Sequence, residues 1–142
     1  MFIQQNRSSL RDFYIKCWQK KLTNLALEPL EQQIVNVIIE HPEYQHSLSP
    51  NSKSIDKDYS AELGEVNPFL HMGLHLAIRE QVDTNRPIGI LNVFKLLKEK
   101  HGIEKAEHLI MDCLIESMWQ SQQNGIPPDE HVYLNSIKNI DR

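Results

Sequence analysis

The apolar positions of this chain recur with a helical period almost from end to end. Leu10, Phe13, Tyr14, Cys17 and Trp18 stand at i, i+3, i+4, i+7 and i+8, directly after Ser8-Ser9. Residues three and four apart share one helix face, so this spacing predicts a first helix, N-capped by a serine and running to about Lys21. Pro29 suits the first turn of a second helix. Leu30, Ile34, Val37, Ile38 and His41 follow one face of it, and it stops before Pro42. Asn67-Pro68 opens a third helix, with Asn as N-cap and Pro at the first helical position, which runs to about Val82 or Asp83. A fourth begins at Pro87 and closes near Gly102. A fifth spans about Ile103 to Gln123, with Gly125 as its C-terminal cap. Pro127-Pro128 break the chain, and Asp129 caps a short last helix carrying Val132, Tyr133, Leu134 and Ile137. No segment shows strand alternation. The predicted fold class is all-α: a single helical domain over residues 1–142, folded as one compact bundle of five or six helices.

Between about residues 42 and 66 the periodicity is lost. The stretch PEYQHSLSPNSKSIDKDYSAELGEV is rich in Ser, Asp, Asn, Lys and Pro. It reads as one long loop across the surface, pinned by Tyr44, Ile55, Tyr59 and Leu63. Loops of that length are commonly functional.

Two helices carry ionisable residues at four-residue spacing among apolar ones. The third has His71, His75 and Arg79; the fifth has His108, Asp112 and Glu116. The rest of the third helix is apolar nearly all round (Phe69, Leu70, Met72, Leu74, Leu76, Ala77, Ile78, Val82), which places the helix and its two histidines in the interior. Gly73, in its middle, costs about 1 kcal/mol against Ala. A close helix crossing or room beside the histidines would account for it. On the fifth helix the stripe is open to a second reading, a wet face with Trp119 partly exposed. Imidazoles and carboxylates in an apolar setting must be paired or metal-bound. His71, His75, His108, Asp112 and Glu116, brought together from facing helices, match the mixed nitrogen and oxygen ligand sets of zinc or iron. Glu40, His41 and Glu43, at the end of the second helix, would add a further ligand or a partner that supports the set from outside, as would Arg79. The leading expectation is therefore an interior site for a divalent metal, with hydrolytic or redox chemistry open. The rival is a structural network, with Arg79 paired to Asp112 or Glu116 and the histidines hydrogen-bonded to those carboxylates, inside a non-catalytic interaction or homodimerisation module.

Bulk properties narrow the alternatives. The chain has 142 residues, with 40% hydrophobic and 24% charged positions and a net charge of −4. An acidic balance argues against nucleic acid as a partner, since phosphate contact needs a basic face. No run reaches the roughly 20 apolar residues of a membrane span, and MFIQQNRSSLRDFY lacks the plan of a signal peptide. The only cysteines, Cys17 and Cys113, both lie in apolar helical patterns and read as reduced thiols of a cytoplasmic protein, a disulfide between them being the alternative. There is no HExxH, GxSxG, CxxC or phosphate loop, so zincin, serine-hydrolase, zinc-ribbon and P-loop chemistries have no support.

The segments EHPEY, NPFLHMGLHLAIREQ and AEHLIMDCLIESMWQSQQNGIPPDEHVYL resemble, in order and across nearly the whole chain, a family of small bacterial proteins catalogued as domain of unknown function 1841. The resemblance implies a bacterial cytosolic protein and supplies no catalytic residues. Where that family reads HPEYH, this chain has Gln45 in the last place, followed by His46.

Overall fold

In a computed structural model, residues 2–49, 57–59 and 67–141 are described, with side chains from residue 8 onward. The regular elements of the described residues are all helices, with no strand. They are α1 (Phe2–Leu22), α2 (Pro29–Ile39), a 3-10 helix (Pro42–Leu48), α3 (Pro68–Thr84), α4 (Ile90–His101), α5 (Ile103–Asn124) and α6 (Glu130–Lys138). The chain divides into two compact units, Met1–Leu76 and Ala77–Arg142, and the division falls inside α3.

In the first unit α1 packs on α2, and the 3-10 helix packs on both. Its core joins Tyr14, Ile15 and Cys17 of α1, Ile34, Val35, Val37 and Ile38 of α2, Leu48 of the 3-10 helix, and Phe69 and Met72 of α3. The helix starts are chemically specified. The Glu31 carboxylate accepts the Glu28 backbone N–H at 2.8 Å, with Pro29 in the first turn of α2. The Asn67 side chain accepts the N–H groups of Phe69 and Leu70 at 3.0 and 3.2 Å, the capping that its position before Pro68 predicts.

Two predictions about this unit are corrected. α1 extends upstream to Phe2, so Ser8 and Ser9 lie within the helix and do not cap it. The predicted long loop begins instead with a helix, the 3-10 turn Pro42–Leu48, which buries Ser47 and Leu48 and is a seventh helical element beyond the five or six expected. A 3-10 turn needs only a few residues and no 3.6-residue apolar period, so proline at its start and serines at its end conceal it. Tyr44 and Tyr59 pack against the core as the pinning reading requires; Ile55 and Leu63 lie outside the described residues.

In the second unit α5 packs on α4 and α6, and α4 on α6. Ile78, Ile90, Phe94, Leu97, Ala106, Ile110, Met111, Tyr133, Leu134 and Ile137 are buried. α4 starts later than its sequence pattern suggests, at Ile90, because Asn85 and Gly89 define the turn before it. The Asn85 side chain accepts from the N–H groups of Gly89 and Leu91, and Gly89 adopts φ +107° at the helix entrance, a conformation open to glycine. Gly102 and Gly125 end α4 and α5 with positive φ, and Asp129 caps α6 through the N–H groups of His131 and Val132. Both cysteines are free thiols. No described helix is long and apolar enough to cross a membrane.

Candidate metal centre

The convergence of ionisable groups that the HxxxH pattern predicts lies in the first unit. The end of α2 delivers His41, and the first half of α3 delivers His71 and His75. One ring nitrogen from each of the three lies within 4.8 Å of the others, and this is the group among the described residues that can hold a metal ion. His75 is 2% exposed and His41 8%, while His71 is half-buried.

The local structure explains how each ring is aimed. On α3 the four-residue spacing stacks His71 and His75 one turn apart, and their Nε2 atoms stand 3.2 Å from each other. At the end of α2 the helix unwinds into the 3-10 turn. His41 caps that turn, and its Nδ1–H donates to the Val37 carbonyl at 2.8 Å. A proton on Nδ1 leaves the Nε2 lone pair of His41 available, and a backbone carbonyl on the far nitrogen is the usual means of orienting a metal-binding imidazole. The His41 ring centroid lies 5.2 Å from that of His71 and 4.7 Å from that of His75. Tyr44 closes one side, stacked on His41 at 5.6 Å and edge-on to His71 at 5.8 Å. Burial, and then the neighbouring Glu43 carboxylate, push the Tyr44 phenol up, so it is a neutral hydroxyl at neutral pH.

The second stripe is arranged differently. His108, Asp112 and Glu116 are not part of the converging group. Asp112 and Glu116 are exposed, as is Trp119, so this side of α5 is its wet face. His108 Nδ1 bonds the Glu104 carbonyl one turn back, and Glu116 accepts from the Gln120 amide. Glu40 is exposed at the C-terminal end of α2. Arg79 does form the ion pair the network reading asks for, with a different partner: it binds Glu107, not Asp112 or Glu116. The reason is rotational. Glu107 is in register with Ile110, Met111 and Leu114 and turns inward with them, whereas Asp112 and Glu116 turn outward. Sequence reading missed Glu107; a carboxylate in phase with an apolar face is the signal that could have found it. His41 carried a weaker signal, as the last member of the apolar stripe of α2 before Pro42. Tyr44 was legible as a pin and not as a partner of the histidines.

Fold and site together define an all-helical protein with a largely buried cluster of three imidazoles. A family model described as a domain of unknown function (DUF1841) matches residues 6–139, and the chain belongs to that family. No curated protein and no solved structure gives a match.

Proposed function

We propose that this protein binds a divalent transition-metal ion through His41, His71 and His75. The observation that carries the reading is the 3.2 Å separation of the His71 and His75 Nε2 atoms within a three-imidazole group. Two imidazoles on one tetrahedral zinc, with bonds of about 2.0–2.1 Å, place their nitrogens about 3.3 Å apart. Purely imidazole donors suit zinc, iron, copper and nickel and do not suit magnesium or calcium. Zinc and iron are the candidates that the sequence pattern already favours. His108, Asp112 and Glu116 have no part in this ligand set, and His41 takes the third place.

Three imidazoles, the ligands found among the described residues, would leave a coordination position for water, as in hydrolytic zinc sites. The chemistry a metal supplies there is Lewis acidity toward that water. The chain contributes the dry wall behind the ion, the fixed tautomer of His41, and the Tyr44 ring beside it. The test is elemental analysis of untagged protein purified without chelator, beside His41→Ala and His75→Ala variants. Near-stoichiometric zinc or iron in the wild type, lost in both variants whose helical circular dichroism is retained, is the expected result. A metal-free wild type that also fails to take up added zinc, iron or cobalt overturns the proposal.

A further inference from the structure

His41 and His108 make the same bond. Each ring donates from Nδ1 to the backbone carbonyl four residues back, Val37 for one and Glu104 for the other, and both bonds measure 2.8 Å. A carbonyl only accepts, so both rings carry a proton on Nδ1. Of the two, His41 belongs to the converging group and His108 does not. The carbonyl bond therefore sets the tautomer and not the direction of the ring. What His41 has in addition is the turn that follows it. Pro42 has no N–H to continue α2, and its ring disfavours helical backbone at the residue before it. His41 accordingly stands at φ −128°, ψ 65°. Its N–H donates three residues back, to the Ile38 carbonyl at 3.0 Å, and the Tyr44 N–H donates to the His41 carbonyl at 3.0 Å. This tight turn lays the Tyr44 ring on the face of His41, with the two planes 3° apart. Tyr44 and His41 then meet the His71 ring at nearly one angle, 69° and 71°. Tyr44 is itself held, because it packs against the buried core of the first unit.

We infer that Tyr44 is a positioning residue of the metal centre: its flat ring holds the angle between His41 and His71 at which one ion meets both. This rests on the metal reading above. The gain is preorganisation. A ligand ring that is already oriented loses less rotational freedom when the ion arrives, so the ion is held more tightly with no added bond to it. The role belongs to the ring and not to the hydroxyl, since the contacts with both imidazoles are ring contacts.

The experiment compares the full chain with Tyr44→Phe, which keeps the ring, and Tyr44→Leu, which keeps apolar bulk without it. Zinc affinity is measured by competition with a chromophoric chelator. Nuclear Overhauser effects among the rings of His41, Tyr44 and His71 are measured on the metal-free proteins. The expected result is wild-type affinity in Tyr44→Phe and a roughly 10–100-fold loss in Tyr44→Leu. The contact between the His41 and His71 rings should persist in the first variant and weaken in the second. Equal zinc affinity in all three proteins overturns the inference and leaves the metal reading intact. So does a Tyr44→Phe variant as weak as Tyr44→Leu, which gives the role to the hydroxyl. Lost affinity in Tyr44→Leu with its imidazole contacts unchanged overturns it as well, because the fold and not the ring angle is then at fault. Wild-type protein whose Tyr44 ring contacts neither imidazole overturns it whether or not Tyr44→Leu folds. Wild-type protein that takes up no zinc, by contrast, overturns the metal reading itself and the inference with it.

Discussion

Arg79 grips Glu107 with two parallel hydrogen bonds, Nε to Oε2 at 2.9 Å and Nη2 to Oε1 at 3.0 Å. The fork ties the last turns of α3 to the start of α5 inside the second unit. The Glu107 side chain is 4% exposed, so the charge of the Arg79 fork helps compensate its own. Removing one member of a buried pair leaves the other's charge less compensated, and this costs more than replacing both. Arg79→Ala is expected to destabilise the protein by about 3 kcal/mol. The double variant Arg79→Met/Glu107→Leu, which keeps volume and removes both charges, should recover most of that loss. Urea denaturation of the two variants measures the difference; equal destabilisation would show that the pair is not what holds these helices.

A metal that binds only the folded protein raises its stability by mass action. At a free concentration about 100 times the dissociation constant the gain is about 2.7 kcal/mol. Thermal melts with and without zinc should show an upward shift that a chelator reverses. The shift should vanish in His71→Ala as well as in His75→Ala, because both residues are in the proposed ligand set. His108→Ala, whose ring is bonded to its own helix at the Glu104 carbonyl, should keep it. Loss of the shift in His108→Ala would return that residue to the ligand set.

The helices were legible because their punctuation is chemical and local: Asn67 before Pro68, Gly125 after α5 and Asp129 before α6 each act within a turn. The cluster of three histidines was half legible for the same reason. The spacing of His71 and His75 is a property of one helix and can be counted. His41 is brought to them by the fold of the first unit, through a 3-10 turn that has no periodic signature. The stripe on α5 lies outside the converging group, because spacing groups residues on a face without saying which way that face points. The apolar residues settle that direction, and they point to Glu107 and away from Asp112 and Glu116.

Gly73 offers a test of packing beside the site. A Cβ added there would sit 3.6 Å from the Tyr14 hydroxyl oxygen, an ordinary van der Waals distance. The close crossing that would have required glycine is therefore not tight enough to exclude alanine. Glycine within a helix costs about 0.5–1 kcal/mol relative to alanine. Gly73→Ala should raise stability by about that amount in chemical denaturation, with the metal content of the protein unchanged. A destabilised variant would mean that Tyr14 cannot accommodate the methyl group.

Cys17 should be chemically silent in the native protein. It is fully buried in the first unit's core. Burial, and then the nearby Glu31 carboxylate, push its thiol up to about 11, so almost no thiolate exists at neutral pH. Cys113 is only half-buried and should be alkylated first, although burial and Asp112 also raise its thiol. Mass spectrometry after timed iodoacetamide exposure distinguishes them. Cys17 modified as fast as Cys113 under native conditions would contradict the packing of α1 on α2.

Acid should weaken both units through one carboxylate in each. The Lys20 ammonium, 2.7 Å from Glu31, and then the Glu28 backbone N–H hold the Glu31 carboxyl below its usual range. In the second unit the His101 imidazole, bonded at 2.9 Å, does the same for Asp141, with Lys100 adding to it. A carboxylate whose folded pKa is depressed releases its proton more readily in the folded state than in the unfolded one. Its stabilising contribution is complete above the unfolded value of about 4 and is lost as pH falls through the lower folded value. Denaturation between neutral pH and about pH 3 should therefore show stability falling only below about pH 4–5 from these two groups. Glu31→Gln, which retains the shape and an acceptor for the Glu28 N–H but carries no charge, should flatten that dependence and lower stability at neutral pH. A wild-type and a Glu31→Gln curve that run parallel through the acid range would show that the Lys20 pair contributes nothing to folding.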